Sequence, residues 1–120
     1  MKHLDYCLQK AREIPYVRHQ QRHYAIVVDK RGRVVAEGSN SYTKSSPLMQ
    51  RLGRMVGVSE YKCFLHAEIK TILRDKTDKG VKLCVARVNA KGEAVNSKPC
   101  EVCEYYIKTK KNIKSIEYTL

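Results

Sequence analysis

Two short motifs in this chain contain the residue types that bind a transition metal. The first is H-A-E, which begins at His66, and the second is P-C-E-V-C, whose cysteines are Cys100 and Cys103. One imidazole and two thiols suit Zn²⁺, and three protein ligands leave the fourth tetrahedral position open for water, as in catalytic zinc sites. A carboxylate beside such a site can move protons. The motifs therefore predict a metal centre with these three ligands and Glu68 as general acid/base.

Each motif begins a predicted helix. After His66 the apolar residues recur at helical spacing over residues 66–75. The inward-facing residues of this helix are predicted to be Ala67, Ile69, Ile72 and Leu73. Pro99 suits the first turn of a second helix, predicted over residues 100–110. Two helix N-termini that face one another would surround one ion, and their partial positive charge favours thiolate over thiol.

Two other interpretations of the cysteines stay open. A closed structural zinc site would need a fourth ligand, such as Cys63 or another histidine. A redox C-x-x-C needs a nucleophilic cysteine with no competing metal, and it would leave the H-A-E motif unexplained. The chain has five cysteines, an odd number that does not suggest a disulfide framework. Cys7, Cys63 and Cys84 lie in apolar surroundings and are predicted to be core residues.

The order of predicted elements indicates an α/β domain. Apolar residues recur every three or four positions in helices and alternate in strands. Helices are predicted over 3–14, 66–75 and 100–110, and strands over 24–29, 34–38, 81–88 and 113–118. Residues 41–62 lack periodicity and are predicted to be a loop with a short helix near 47–55. A hairpin followed by alternating helices and strands predicts one domain, 1–120, with helices packed on a mixed sheet.

Composition and charge restrict the class of protein and its partners. The chain has 120 residues, 42% of them hydrophobic, which is ordinary for a folded globular domain. Its formal net charge of +12 favours anionic partners, either a nucleotide or a nucleic acid, and a simply basic surface explains the charge equally well. No apolar run approaches the roughly 20 residues that span a bilayer, and no signal peptide is visible. We therefore expect a cytoplasmic protein with no membrane partner.

The two motifs resemble those of the cytidine deaminase-like superfamily, and within it the branch of deoxycytidylate and tRNA-adenosine deaminases. This branch carries H-A-E followed by P-C-x-x-C, and the resemblance extends over residues 24–119. It implies a three-layer α-β-α sandwich in which helices cover both faces of a mixed four- to five-stranded sheet. Four strands are visible in the sequence itself. The resemblance also implies a homo-oligomer.

The resemblance further assigns roles to individual residues. It implies a Zn²⁺ ion at the three ligands named above, with Glu68 as the proton shuttle. The backbone of Ala67 would contact the base of the substrate. Asn40, which ends the second predicted strand, would hydrogen-bond the sugar or the base. An asparagine that simply ends a strand in a turn is the alternative for Asn40.

The leading function is hydrolytic deamination of a cytosine nucleoside or nucleotide (cytidine, deoxycytidine, CMP or dCMP) to the uracil product and ammonia. In the loop, Lys44, Arg51 and Arg54 would bind a phosphate or form a solvated basic face. The alternative is a deaminase of cytosine or adenine in single-stranded DNA, RNA or tRNA. The basic cluster at residues 18–23 and the eight tyrosines, which can stack on bases, favour it. A catalytically silent binding module is a third possibility, against which the intact Glu68 argues.

Overall fold

The computed structural model has an α/β architecture, with three helices and a five-stranded mixed sheet in the part it describes. It describes residues 3–18, 21–40, 51, 66–77, 79–110 and 112–120. The elements in chain order are α1 (His3–Glu13), β1 (Arg22–Asp29), β2 (Val34–Ser39), α2 (Ala67–Arg74), β3 (Gly80–Val88), β4 (Ala94–Val95), α3 (Glu101–Thr109) and β5 (Ser115–Tyr118). Helix α2 therefore connects the edge strand β2 to β3, and α3 connects β4 to β5.

Strand β3 is the centre of the sheet. It pairs antiparallel with β1 along one edge, and on its other edge it pairs parallel with β5 and antiparallel with β4. Strand β2 lies outside β1 and completes the hairpin. The β1–β2 turn is held by the carboxylate of Asp29, which accepts hydrogen bonds from the backbone N–H groups of Arg31 and Arg33. Gly32 takes a positive φ of 82° there, which a residue without Cβ adopts at little cost.

The core consists of two clusters on opposite faces of the sheet, because successive residues of a strand point to opposite sides. Strand β1 contributes Ala25 and Val27 to one cluster and Ile26 and Val28 to the other. The first cluster, called the site face below, comprises Ala25, Val27, Ala36, Leu83 and Val85 from strands and Ala67, Ile69, Ile72, Cys103, Tyr106 and Ile107 from α2 and α3. The second, called the α1 face, comprises Cys7, Ala11, Ile26, Val28, Cys84, Ala86 and Val88.

The core predictions for the cysteines are confirmed where the structure describes them. Cys7 and Cys84 are fully buried on the α1 face. Cys63 and the predicted short helix near 47–55 lie outside the described residues, apart from Arg51, which is exposed. The prediction that Leu73 faces inward is wrong, since the side chain of this residue is 43% exposed. The buried face of α2 instead includes the polar residues Glu68 and Thr71, so it is displaced from the apolar stripe that the sequence suggests.

Two further predictions from the sequence are corrected. Strand β4 was not predicted, because a two-residue strand has no periodicity to detect. Strand β1 begins at Arg22 and not at residue 24. The guanidinium of Arg22 is buried, and it donates hydrogen bonds to the carbonyl oxygens of Arg12 and Ile14 at the end of α1. A cation at a helix C-terminus is stabilised by the helix dipole and by the unpaired carbonyl oxygens. These interactions allow the charged side chain of Arg22 to be buried at the start of β1.

The described helices are too short or too polar to cross a lipid bilayer.

Candidate metal centre

The two predicted motifs do begin helices, and each helix starts one residue after a candidate ligand. His66 precedes α2 and Cys100 precedes α3, and both have extended backbone angles. Their carbonyl oxygens accept the first helical hydrogen bonds, from the N–H groups of Lys70 at 3.0 Å and Glu104 at 2.8 Å. Neither side chain caps its own helix. The sequence predicts Pro99 in the first turn of this helix. In the structure Pro99 lies just before the helix, because Cys100 is the N-cap residue.

The structure brings the three predicted ligands together. Nδ1 of His66 lies 3.3 Å from Sγ of Cys103 and 3.5 Å from Sγ of Cys100. All three candidate ligand atoms lie within 4.8 Å of one another. Zinc bound tetrahedrally, with Zn–S near 2.3 Å and Zn–N near 2.0 Å, places its nitrogen and sulfur ligands about 3.5 Å apart. The donor set and its spacing therefore fit a zinc ion.

The two thiols differ in their ionisation. The pKa of Cys100 is lowered to about 3, first by a hydrogen bond from the Cys103 thiol and then by one with His66, against the effect of burial. The pKa of Cys103 is raised well above its ordinary value, because its thiol donates to Cys100 and is buried. Of the two thiols, Cys100 is therefore the one that ionises more readily. Binding of a metal ion by both cysteines releases the remaining thiol proton, because a cysteine ligand is a thiolate.

Glu68 lies in the first turn of α2, and its side chain is only 5% exposed. Burial raises the pKa of its carboxyl group, while the charge of His66 and a hydrogen bond with Cys103 oppose that rise. A buried carboxyl group whose pKa is moved towards neutrality is suited to accept and return a proton. The structure thus places a candidate general acid/base in contact with a candidate metal ligand.

A buried hydroxyl pair fixes the segment that leads to Cys100. Ser97 donates to the carbonyl oxygen of Val85 at 2.9 Å, and its Oγ accepts a hydrogen bond from the backbone N–H of Thr119 at 2.8 Å. The hydroxyl of Thr119 also donates to Oγ of Ser97 at 2.8 Å. Since Val85 belongs to β3 and Thr119 follows β5, these bonds tie the segment before α3 to β3 and to the end of β5.

The structure gives the positions of Ala67 and Asn40, the two residues predicted to contact substrate, but it does not test those roles. Ala67 is the first residue of α2 and is fully buried beside the ligands. Asn40 follows β2, and its side chain accepts from the backbone N–H of His23 at 3.1 Å and donates to the carbonyl oxygen of Gln21 at 3.1 Å. The side-chain amide of Asn40 therefore links the end of β2 to the start of β1. This agrees with the alternative in which Asn40 has a structural role where the strand ends. A contact with substrate stays a prediction for both residues.

His23, which belongs to the basic cluster at residues 18–23, and Arg87, which the sequence did not single out, are neighbours of the site. They are directly paired across β1 and β3. His23 continues the alternation of Ala25, and Arg87 that of Val85, so both belong to the site face. Burial, and after it the positive charges of Arg87 and His66, lower the pKa of His23 to about 4. Extending the strand alternation back to residue 22 would have revealed His23, whereas its pairing with Arg87 depends on the register of two distant strands.

The lowered pKa of His23 predicts a loss of stability in mildly acidic solution. As the pH falls from 6.5 to about 4, the unfolded chain takes up a proton at His23 while the folded chain does not. The free energy of unfolding therefore falls with pH across this window, by about 2–3 kcal/mol. Denaturant unfolding near neutral pH and near the acid end of the window measures it. The variant His23→Gln is expected to lose correspondingly less stability, and equal losses would contradict a neutral, partly buried imidazole at His23.

No family model matches the chain, and no curated protein matches it either. The fold and the site themselves define an α/β protein with a candidate His/Cys/Cys metal centre and a buried carboxyl group beside it. Any narrower class must be argued from the chemistry of these residues.

Proposed function

We propose that this protein is a zinc-dependent hydrolytic deaminase of a cytosine nucleoside or nucleotide. The observation that carries the proposal is the convergence of His66, Cys100 and Cys103 beside the buried carboxyl group of Glu68. Three ligands leave one position of a tetrahedral ion for water. A carboxyl group beside that position is what separates a hydrolytic centre from a purely structural one.

In the proposed reaction, a zinc ion would activate the water molecule and Glu68 transfers the protons. A zinc ion at this site would lower the pKa of a water molecule, which then serves as a nucleophile at neutral pH. The carboxylate of Glu68 accepts a proton from the attacking water and delivers it to ring nitrogen N3 as the oxygen bonds to C4 of cytosine. It then carries a second proton to the exocyclic amine, the C4–N bond breaks, and ammonia leaves. Burial raises the pKa of Glu68 above that of an ordinary carboxyl group, which suits this repeated exchange of protons.

The proposal includes membership of the cytidine deaminase-like superfamily and its three-layer α-β-α fold. Two observations support it: α1 packs on one face of the mixed sheet and α2 and α3 on the other, and both motifs lie at helix starts. A cytoplasmic location and a homo-oligomer stay predictions from the sequence.

The experiment that tests the proposal is a substrate panel. Purified, zinc-loaded protein is incubated with cytidine, deoxycytidine, CMP, dCMP and their adenine counterparts, and with single-stranded DNA and RNA that contain either base. Ammonia release and the base product are both measured. We expect turnover of at least one cytosine monomer and none in protein stripped of metal by a chelator.

The panel also distinguishes the proposed function from the competing functions. Turnover confined to the oligonucleotides would overturn the monomer proposal in favour of a polynucleotide deaminase. No turnover of any compound by protein that is folded and carries one zinc ion per chain would leave a silent binding module. Turnover that persists after complete zinc removal would contradict the metal centre itself.

A further inference from the structure

Two buried hydroxyl groups lie where one edge of β3 passes from one pairing strand to the next. Along this edge, residues 82–85 of β3 pair with β5 and residues 87–88 pair with β4. Ser97 follows β4 and is 2% exposed, and Thr119 follows β5 and is 6% exposed. Their hydroxyl oxygens are 2.8 Å apart. The hydroxyl pair therefore lies between the ends of two strands that share an edge of β3.

The hydroxyl pair supplies hydrogen bonds to the backbone of β3 at this junction. The carbonyl oxygen of Val85 accepts from the hydroxyl group of Ser97 at 2.9 Å and from the backbone N–H of Thr119 at 3.3 Å. The backbone N–H of Arg87 donates to the hydroxyl oxygen of Thr119 at 3.3 Å. Backbone groups inside a protein need such partners. The pair thus has a role in the sheet that does not by itself involve the metal ligands.

The short segment before α3 connects the hydroxyl pair to the candidate metal centre. Residues 96–100 belong to no helix or strand, so their position depends on individual hydrogen bonds. The backbone N–H of Ser97 donates one of these, at 2.8 Å, to the carbonyl oxygen of Thr119. Cys100 is three residues further along the chain, and the link contains the buried Pro99, whose ring fixes φ. The place of Ser97 therefore restricts where the sulfur of Cys100 can lie.

Cys103 is held in place by different means. It lies inside α3 and is fully buried in the core of the site face. Cys100 is only partly buried and lies outside the helix, as its N-cap residue. The segment that precedes α3 therefore matters more for the position of Cys100 than for that of Cys103.

We propose that Ser97 and Thr119 are positioning residues of the metal centre, which hold Cys100 ready for the metal ion through the backbone that joins it to Ser97. The inference rests on the proposed function only through its metal ion, and it needs no deamination. Coupling between two equilibria is reciprocal. Docking of Thr119 on Ser97 favours binding of the metal, so binding of the metal also stabilises that docking. A hydroxyl pair that only completed the sheet would show neither effect.

The first test measures affinity for Zn²⁺ by competition with a chelator, under conditions in which every metal-free variant is folded. Ser97→Ala and Thr119→Val each remove one hydroxyl group. Each is expected to weaken zinc binding about 10-fold or more, the usual loss when a group that orients a ligand is removed. Thr119→Ser keeps the hydroxyl group and is expected to retain most of the affinity. The absorption of thiolate-bound Co²⁺ gives a second readout, and it should weaken in Ser97→Ala because Cys100 is displaced.

Thr71→Val is the matched control for these variants. Thr71 is fully buried in α2, and its hydroxyl group donates to the carbonyl oxygen of Ala25 in β1 at 3.4 Å. The control also removes a buried hydroxyl group bonded to a strand, but the helix itself holds the backbone of Thr71. Its metal-free form is expected to melt at a lower temperature while its zinc affinity stays that of the wild type. Equal weakening of zinc binding in Thr71→Val and Ser97→Ala would overturn the positioning role.

The second test uses the unaltered chain and therefore does not depend on the folding of a variant. The backbone N–H of Thr119 donates to Oγ of Ser97 at 2.8 Å, and its hydrogen exchange is followed by NMR with and without Zn²⁺. The reference is the N–H of Gly32, which donates to the carbonyl oxygen of Asp29 in the β1–β2 turn. Zinc is expected to slow exchange at Thr119 more than at Gly32. Equal slowing at the two positions would contradict the coupling between Thr119 and the metal.

The outcomes separate this proposal from the deaminase whose metal ion it uses. Wild-type zinc affinity in both Ser97→Ala and Thr119→Val would overturn the positioning role and leave the deaminase in place. Weakened zinc binding in both variants, with no deamination of any compound by the wild type, would overturn the deaminase and support the positioning role. A wild-type protein that binds no zinc would overturn both.

Discussion

Replacing Cys103 by serine is expected to abolish tight zinc binding. Its Sγ lies 3.3 Å from Nδ1 of His66, and the residue is fully buried, so solvent or a mobile side chain cannot easily replace the lost ligand. Changes in groups that merely orient a ligand cost about 10–100-fold in metal affinity, and loss of a ligand should exceed that range. Competition with a chromophoric chelator measures the affinity. Thermal melting with and without zinc shows whether the metal still stabilises the fold.

Cys84→Ser is the matched control for this experiment. Cys84 is equally buried but lies on the α1 face, away from the candidate ligands. Both substitutions bury a hydroxyl group, at a cost of about 1–3 kcal/mol, so a general loss of stability should appear in both proteins. Only Cys103→Ser should lose its zinc-dependent rise in melting temperature. Wild-type zinc affinity in Cys103→Ser would remove the basis of the metal centre.

Replacing Glu68 by glutamine is expected to stop catalysis and to keep the metal. The amide has the shape of the carboxyl group but cannot carry protons, and general acid/base groups contribute about 10²–10⁴-fold to rate. The value of kcat on the substrate found in the panel should fall by that amount. Zinc content should be unchanged, because Glu68 is not one of the three converging ligands. Stability near neutral pH should be equal or higher, since burial disfavours the charged carboxylate.

Glu37→Gln is the control for loss of a carboxylate elsewhere. Glu37 lies in β2, where its side chain accepts hydrogen bonds from the hydroxyl groups of Tyr6 and Tyr24. These tyrosines pack against the α1 face, so the variant should keep both zinc and activity. If Glu68→Gln loses zinc or unfolds, Glu68 is a structural residue. If it keeps full activity, another group moves the protons and the assigned role is wrong.

Local sequence was sufficient for the parts of the site that depend on near neighbours. The apolar periodicity after His66 and the proline before Cys100 predicted two helix starts, and both are present. Cys100 and Cys103 are one helical turn apart, so their nearness to each other also follows from local geometry. Leu73 shows the limit of this reasoning. Its spacing fits the apolar stripe of α2, but only the packing against the sheet decides which residues of the helix are buried.

Pairing between distant segments accounts for what local patterns did not predict. His23 and Arg87 are 64 positions apart, and only the β1–β3 register brings them together. The same applies to β4, which is recognisable as a strand only because it pairs with the end of β3. Asn40 also finds its partners through the β1–β2 hairpin. A shift of one residue in any strand would send its side chains to the opposite face.

The sequence by itself determined which donor atoms the candidate site has and that each motif begins a helix, because donor chemistry and helix initiation depend on residues within one turn. Tertiary structure decided the rest. It brought His66 to the two cysteines, buried Glu68 and lowered the pKa of Cys100. It also placed His23 and Arg87 beside them. Distances, burial and pKa shifts arise from the packing of helices on a sheet whose register is set by contacts far apart in the chain.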